Sequence, residues 1–251
     1  MVHFVGAGPG AADLITMRGA RLLGTADIII YAGSLVNPAL LEGRKAGCQV
    51  YDSAGMTLEQ VIRVMEQGQA AGQEIVRLHT GDPSLYGAIR EQMDALDERG
   101  IPYDDTPGVS SFSGAAAALC AEYTLPGISQ SVIITRMAGR TPVPEGEALR
   151  SMASHGCTMV LFLSTGLLEQ VEEELQAGGY SPDTPAAIVY KATWPEEKVL
   201  RCTVSTLAST ARENHITKTA LITIGNFLGK DYERSKLYDP QFSHGCREAS
   251  R

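Results

Sequence analysis

The sequence is poor in residues that mark several common classes of protein. Aromatic residues make up 6% of the 251, and the five cysteines lie far apart without a CxxC pair. Disulfide frameworks and zinc knuckles need tighter spacing, so we expect reduced thiols and no metal centre. No apolar run approaches the roughly 18 residues that cross a bilayer, and no signal peptide is recognisable at the N-terminus. We therefore expect a soluble, cytoplasmic protein without a membrane span.

An excess of positive charge is also lacking. Asp and Glu number 29 against 21 Lys and Arg, which gives a net charge of −8. Nucleic-acid binding depends on a basic surface that neutralises phosphates, so no nucleic-acid partner is expected. An anionic small molecule stays compatible, because a cleft can be locally basic on an acidic protein. The apolar content of 44% is typical of a chain with a substantial core.

Short β-branched runs alternate with amphipathic segments along the whole chain. Strands are predicted at residues 2–5, 28–31, 75–78, 101–104, 131–135, 159–163, 186–190 and 220–224. Helices are predicted at residues 12–23, at 57–71 with Thr57 as N-cap, and at 83–99 with Asp82 as N-cap and Pro83 at the first helical position. This alternation predicts a largely parallel α/β architecture.

The clearest domain break is the Pro126-Gly127 interruption within residues 123–130. We predict two α/β domains, residues 1–122 and 129–228, with a cofactor cleft between them. Residues 229–251 are polar and aromatic without periodicity, and are predicted to form a tail packed on the surface.

A glycine-rich loop, GAGPGA at residues 6–11, follows the first predicted strand. It satisfies the GxGxxA pattern of dinucleotide sites, so a nicotinamide-dependent dehydrogenase is one interpretation. Two features oppose it. Pro9 has no N–H where the pattern supplies a donor to pyrophosphate, and Asp27 precedes the second strand instead of ending it. The loop suits a ligand without phosphate better, since glycine and proline allow close approach of the backbone.

Two further loops of small residues follow predicted strands. HTGDPSLYG occupies residues 79–87 and TPGVSSFS occupies residues 106–113. Ligands of open α/β sheets bind outside the carboxyl ends of the strands, so the three loops predict one composite pocket. Taken singly, Asp82 is equally explained as a helix cap, and Ser110 with Ser111 as a simple helix start.

In this order the loops resemble the tetrapyrrole methylase family, the methyltransferases of sirohaem and cobalamin synthesis. The family is marked by VGAGPG (5–10), HTGDPSLYG (79–87) and PGVSS (107–111). Its C11-methylating subgroup is resembled by TRMAGRTPVPE (135–145), YKATWPEEK (190–198) and DYERSKLYDPQFSHG (231–245). The resemblance covers nearly the whole chain. It implies the class III methyltransferase fold and methyl transfer from S-adenosylmethionine to a corrin-pathway tetrapyrrole.

The resemblance also implies a homodimer and a set of cofactor contacts. The positions that match the family's contacts are Pro9, Gly81, Asp82, Leu85, Ser110, Ser111, Leu163, Ala192, Thr193, Ala220 and Leu221. Uroporphyrinogen methylases carry an Asp after the tyrosine that matches Tyr31, and this Asp is thought to act as a base. The present chain has Ala32 there, so no catalytic residue is assigned.

Basic residues in the distinctive blocks are candidates for holding the substrate's carboxylates. Arg136 and Arg140 follow one predicted strand and Lys191 follows another. Guanidinium groups clamp carboxylates bidentately, although a solvated surface charge is the alternative for each residue. Trp194 is interpreted as packing either on the macrocycle or within the protein. For His79, a base and a packed strand end are both open.

Three other functions stay open. One is a sibling methylase acting on another carbon or on RNA, although the acidic charge disfavours RNA. Another is a silent tetrapyrrole carrier, which would bind S-adenosylhomocysteine without transferring a methyl group. The last is the nicotinamide dehydrogenase, which would bind NADH.

Overall fold

A computed structural model describes residues 1–249, except for the side chain of Ser34. The described chain divides into two compact units. The first comprises Met1–Gly114 and Lys191–Glu196, and the second comprises residues 115–190 and 197–249. The first segment of the first unit thus ends at Gly114, before the predicted domain end at residue 122. The described part of the predicted tail, from residue 229, belongs to the second unit. No helix among the described residues combines the length and apolar character needed to span a membrane.

The first unit contains a five-stranded sheet in which every paired strand is parallel. Its strands are β1 (Val2–Gly6), β2 (Ile28–Tyr31), β3 (Gln49–Asp52), β4 (Ile75–His79) and β5 (Tyr103–Thr106). Their order is β3-β2-β4-β1-β5. Gly6 lies beside His79, and Val5 lies beside Thr106. Strand β1 and its neighbours β4 and β5 therefore end at the same edge, which is where α/β sheets bind ligands.

The helices of this part of the chain are α1 (Met17–Thr25), α2 (Leu58–Ala70), α3 (Arg90–Asp97) and α4 (Ser111–Leu119). Thr57 caps α2, as predicted, and the structure adds a capping box with Gln60. The predicted helix at 12–23 differs from the structure. Residues Ala12–Leu14 form a 3-10 turn, and Thr16 starts α1 by accepting the N–H of Gly19.

The prediction of a helix over residues 83–99 is wrong in its first half, because α3 begins only at Arg90. Tyr86 and Ala88 adopt left-handed φ angles of 57° and 49°, which no helix accommodates. Gly87 folds back so tightly that a side-chain carbon there would lie 2.1 Å from the Pro83 carbonyl oxygen. Asp82 caps a turn instead of a helix, through the N–H of Ser84 at 2.9 Å.

The second unit contains a mixed sheet ordered β6-β7-β10-β8-β9. Its strands are β6 (Val132–Arg136), β7 (Thr158–Phe162), β8 (Pro185–Tyr190), β9 (Lys198–Thr203) and β10 (Ala220–Ile224). Only β6 and β7 pair in parallel. The prediction of a largely parallel architecture is therefore wrong for this unit. Residues 191–197 are too short a connection for a parallel crossover, so β9 returns antiparallel to β8.

Each sheet is covered by buried apolar side chains. In the second unit, helices α5 (Leu149–Ala153), α6 (Leu168–Ala177) and α7 (Leu207–Glu213) pack on the sheet. In the first unit both faces of the sheet are covered: Phe4 and Ile30 belong to one core cluster, while Val5 and Ile29 belong to the other. Adjacent residues of one strand point to opposite faces, so continuous apolar runs form strands buried on both sides.

Candidate functional site

The loops that follow β1 and β4 are joined at the carboxyl edge of the first sheet. The N–H of Gly81 donates to the Gly8 carbonyl at 2.8 Å, and the N–H of Gly8 donates to the Gly81 carbonyl at 3.2 Å. Both residues have left-handed φ angles, +79° for Gly8 and +61° for Gly81. Glycine adopts this conformation without steric cost, so the two loops form a short bridge between their backbones.

The loop after β5 joins this pair. The N–H of Gly108 donates to Oδ2 of Asp82 at 2.9 Å. A side-chain carbon on Gly108 would lie 2.1 Å from the Gly81 carbonyl oxygen, and one on Gly6 would lie 2.4 Å from the Gly108 Cα atom. The three backbones therefore touch without side chains between them. The composite arrangement of the three loops that the sequence predicts is present in the first unit.

Pro9, Gly81, Asp82 and Ser110 all lie on these loops. Ser110 is buried, and the next residue, Ser111, begins α4. Pro9 packs against Gly114 of the same helix, where a side-chain carbon would lie 2.8 Å from the Pro9 Cβ atom. Leu85 follows Asp82 in the turn and donates its N–H to the Asp82 carbonyl at 3.2 Å.

The segment Lys191–Glu196 packs on the glycine loop within the first unit. Oγ1 of Thr193 accepts the N–H of Ala11 at 2.9 Å, and the indole N–H of Trp194 donates to the Pro9 carbonyl at 3.1 Å. Lys191 and Thr193 have left-handed φ angles of 45° and 68°. Such conformations cost of order 1–3 kcal/mol each in residues other than glycine, so the surrounding contacts must hold them.

Three of the predicted cofactor residues meet at one edge of the second sheet. Ala220 pairs with Tyr190, so the start of β10 lies beside the end of β8. Leu163 directly follows β7, the other neighbour of β10, and its side chain is 69% exposed on a left-handed backbone with φ 53°. Oγ1 of Thr165 donates to the Ala220 carbonyl at 3.0 Å and ties these segments together. Leu221 is the second residue of β10.

The three basic candidates have different surroundings. The guanidinium of Arg136 donates to the carbonyls of Thr141 and Pro142, at 3.2 and 2.6 Å, and so holds its own loop. Arg140 lies exposed on that loop, and no residue from 1 to 249 pairs with it by hydrogen bond or ion pair. Nζ of Lys191 lies 3.4 Å from a carboxylate oxygen of Glu196 and 5.1 Å from the centre of the Trp194 ring.

A buried polar group inside β4 was not foreseen from the sequence. Nε of Arg77 donates to Oε1 of Gln92 at 2.9 Å, and Nε2 of Gln92 donates to the Ala88 carbonyl at 2.8 Å. Burial lowers the pKa of Arg77 to about 10, so the guanidinium stays charged at neutral pH. One signal existed, an arginine within the otherwise apolar run of residues 75–78. The group fixes the left-handed turn that follows Leu85.

His79 ends β4 and is 4% exposed, with its ring stacked on Phe4 at 6.2 Å between centroids. Burial, followed by the nearby charge of Arg77, lowers the pKa of His79 to about 3. The imidazole is therefore neutral at physiological pH. Its Nε2 atom is buried without a hydrogen-bond partner among the described residues. These surroundings favour a packed strand end over a base.

Ala32 follows β2 at the same carboxyl edge, without a carboxylate of its own. A carboxylate does lie at this corner, because Asp52 ends the neighbouring strand β3. Its Oδ1 atom accepts the N–H of Ala54 at 2.9 Å and lies 3.1 Å from the position of a side-chain carbon on Gly33. This neighbour was not foreseen, because strand β3 was not predicted.

Comparison with known proteins identifies the family. The family model for tetrapyrrole (corrin/porphyrin) methylases matches residues 1–208. A cobalt-precorrin-4 C(11)-methyltransferase of Methanocaldococcus jannaschii is 50% identical over 249 residues, with 99% of this chain and 96% of the relative covered. A precorrin-4 C(11)-methyltransferase of a Sinorhizobium species is 44% identical over 248 residues, with 98% of each covered.

Solved structures give the same result. A cobalt precorrin-4 methyltransferase superposes with a TM-score of 0.89 at 48% identity, covering 91% of this chain and 96% of that one. A uroporphyrin-III C-methyltransferase from Thermus thermophilus, complexed with S-adenosylhomocysteine, superposes with a TM-score of 0.73 at 26% identity, covering 91% and 93%. The predicted fold is confirmed. The chain belongs to the tetrapyrrole methylase family.

Proposed function

We propose that the protein transfers a methyl group from S-adenosylmethionine to C11 of precorrin-4 or its cobalt complex. The observation that carries this proposal is the 50% identity, over 99% of the chain, to a methyltransferase of that specificity. Identity to a methyltransferase named for precorrin-4 without cobalt is 44% over a similar length. The shared chemistry is a polycarboxylate tetrapyrrole with a nucleophilic ring carbon, and any cobalt belongs to the substrate.

The loops at the edge of the first sheet fit S-adenosylmethionine. The point where the three loops meet carries no side chains, because it is formed by Gly6, Gly81 and Gly108. A ligand can therefore approach the backbone closely. Pro9 has no N–H, which suits a ligand that lacks pyrophosphate. The residues proposed to contact the cofactor are Pro9, Gly81, Asp82, Leu85, Ser110, Ser111, Leu163, Ala192, Thr193, Ala220 and Leu221.

When bound, this cofactor supplies a methyl group on a positively charged sulfur; transfer of that methyl group to a carbon nucleophile breaks its bond to sulfur and leaves S-adenosylhomocysteine. The protein's task is alignment, which can supply up to about 7–11 kcal/mol of a barrier. The Asp82 carboxylate accepts the N–H groups of Gly108 and Ser84 and the Ser84 hydroxyl, so its position is fixed. A fixed carboxylate favours a cationic ligand nearby. The tetrapyrrole supplies the electron pair and loses the balancing proton, so no protein base is assigned.

Arg140, Arg136 and Lys191 are proposed to hold carboxylates of the tetrapyrrole. Arg140 is the best placed by its surroundings, because no described residue occupies its guanidinium. Replacing Arg140 by Gln should raise the KM for the tetrapyrrole and leave the KM for S-adenosylmethionine unchanged. Arg150→Gln is the matched control, because Arg150 is an exposed arginine that pairs with Glu174 at 2.8 Å.

The protein is also proposed to act in the cytoplasm as a homodimer. All five cysteines are free thiols, which suits a reducing compartment. The dimer is proposed from the family resemblance. Light scattering coupled to size-exclusion chromatography measures the molar mass and so tests it. A mass of one chain at micromolar concentration would contradict the dimer.

The decisive experiment uses S-adenosylmethionine labelled with carbon-13 in its methyl group. The protein is incubated with precorrin-4 and, separately, with cobalt-precorrin-4, and the product is located by NMR. We expect label on C11 and one S-adenosylhomocysteine per methyl transferred. Label on another carbon would support a sibling methylase. Binding of S-adenosylhomocysteine with no transfer to either substrate would support a carrier.

A further inference from the structure

Trp194 makes contacts that the proposed chemistry does not use. It is the only tryptophan in the chain. Its ring lies against Gly10, where a side-chain carbon would lie 2.1 Å from the indole Cδ1 atom and 2.4 Å from Nε1. Gly10 therefore has to be glycine because of the indole. The indole N–H also donates to the Pro9 carbonyl at 3.1 Å.

Three consecutive residues of the glycine loop are held by side chains from outside the loop. Trp194 binds the carbonyl of Pro9, Asn37 binds the carbonyl of Gly10 at 2.8 Å, and Thr193 binds the N–H of Ala11. Residues 9–11 belong to neither β1 nor α1. Apart from the bond from the Leu14 N–H to the Ala11 carbonyl, their orientation is therefore held by these side chains.

We propose that Thr193 and Trp194 form a latch that holds the glycine loop in its cofactor-binding conformation. Trp194 is thus a positioning residue, and it contacts the loop instead of the reacting atoms. The left-handed angles of Lys191 and Thr193 support this role, because a strained segment keeps its shape only while its contacts persist. The latch rests on the proposed use of S-adenosylmethionine.

Two variants each remove a hydrogen bond to the glycine loop with little change of shape. Trp194→Phe keeps an aromatic ring and loses the N–H donor, while Thr193→Val keeps the branched shape and loses the acceptor. If the loop samples other conformations, the apparent affinity falls by the fraction of competent loop. We expect roughly three- to tenfold weaker binding of S-adenosylhomocysteine by calorimetry, the size of one lost hydrogen bond. In Trp194→Phe the KM for S-adenosylmethionine should rise similarly, with kcat retained at saturation.

Thr193→Ser should rescue binding, because it restores the hydroxyl oxygen. Lys198→Gln is the matched control, an exposed residue at the start of β9. The fluorescence of wild-type protein should change on titration with S-adenosylhomocysteine, because its only tryptophan touches the loop. Wild-type affinity in both Trp194→Phe and Thr193→Val would overturn the latch.

Amide hydrogen exchange of the ligand-free protein tests the latch separately from the cofactor. The N–H of Ala11 should exchange faster in Thr193→Val than in wild type, and the N–H groups of Gly10 and Ala11 should exchange faster in Trp194→Phe. Equal exchange in all three proteins would contradict the latch. Failure of wild-type protein to bind S-adenosylhomocysteine would contradict the proposed function, while the exchange comparison would still decide the latch.

Discussion

The carboxylate of Asp82 accepts the backbone N–H of Gly108 through Oδ2 at 2.9 Å. Its other oxygen, Oδ1, accepts the N–H of Ser84 at the same distance. One side chain therefore shapes the turn after β4 and ties it to the loop after β5. The helix cap that the sequence suggests for Asp82 is replaced by this link between two loops.

Replacing Asp82 by Ala should loosen both loops at once. Two backbone donors lose their acceptor, so we expect the free energy of unfolding to fall by about 1–2 kcal/mol in urea titrations. Binding of S-adenosylhomocysteine should weaken as well, because the loops lose their fixed geometry. Asp82→Asn keeps one carbonyl oxygen and should lie between the two.

Glu91→Ala provides the control for this change. Glu91 is an exposed carboxylate in the first turn of α3. Its removal should change stability by no more than about 0.5 kcal/mol, as is usual for surface positions. Equal stability of the Asp82 and Glu91 variants would mean that the link between the loops contributes nothing.

The contact between Gly108 and Gly81 predicts a severe effect of one methyl group. In Gly108→Ala the new carbon would lie 2.1 Å from the Gly81 carbonyl oxygen and 2.7 Å from the Gly6 Cα atom. Backbone has to move, so we expect a loss of about 2–3 kcal/mol in stability and the loss of cofactor binding. Gly55→Ala is the control, because no atom lies within 4 Å of its added carbon. Full cofactor binding by Gly108→Ala would show that the backbones are farther apart.

Much of the first sheet was predictable because its central strands are buried on both faces. Strand Ile28–Tyr31 was predicted with its exact bounds, since it is a continuous apolar run, and so was Ala220–Ile224 of the second sheet, in which every residue is buried. Strand β3, Gln49–Asp52, escaped because it is an edge strand with mostly exposed residues. The direction of β10 in the second sheet depends on which strands become its neighbours, and no local pattern encodes that.

In the candidate site, too, local motifs were predictable and contacts between distant segments were not. The glycine loops were recognisable as sequence motifs, because their backbone conformations and close approaches require glycine. The contact of the Trp194 indole with Gly10 and the pairing of Arg77 with Gln92 were not predicted. Both join segments far apart in the chain, and single-sequence patterns carry no information on such contacts.

Gln92→Leu should destabilise the protein more than its size suggests. It removes one of two acceptors of a buried guanidinium and leaves only the Ile30 carbonyl at 3.3 Å, and the loss of a hydrogen bond to a buried charged group costs about 2–3 kcal/mol. The double variant Arg77→Met with Gln92→Leu removes both partners and should recover at least about 1 kcal/mol in a double-mutant cycle. Gln67→Leu, on the exposed side of α2, is the control and should stay near wild type. Additive losses in the cycle would contradict the coupling.

His79 makes stability depend on pH in a defined direction. Its pKa is lowered to about 3 in the fold, by burial first and then by Arg77, against 6.5 for the free side chain. Below pH 6.5 the imidazole therefore binds a proton in the unfolded chain but not in the folded protein. The free energy of unfolding consequently falls as the pH drops towards 3. Between pH 7 and pH 5 this residue should account for a loss of about 2 kcal/mol. His79→Phe, which keeps a ring beside Phe4, and His79→Leu should both lose that much less than wild type in urea titrations at the two pH values. An identical loss in wild type and both variants would show that the imidazole takes up its proton in the folded state.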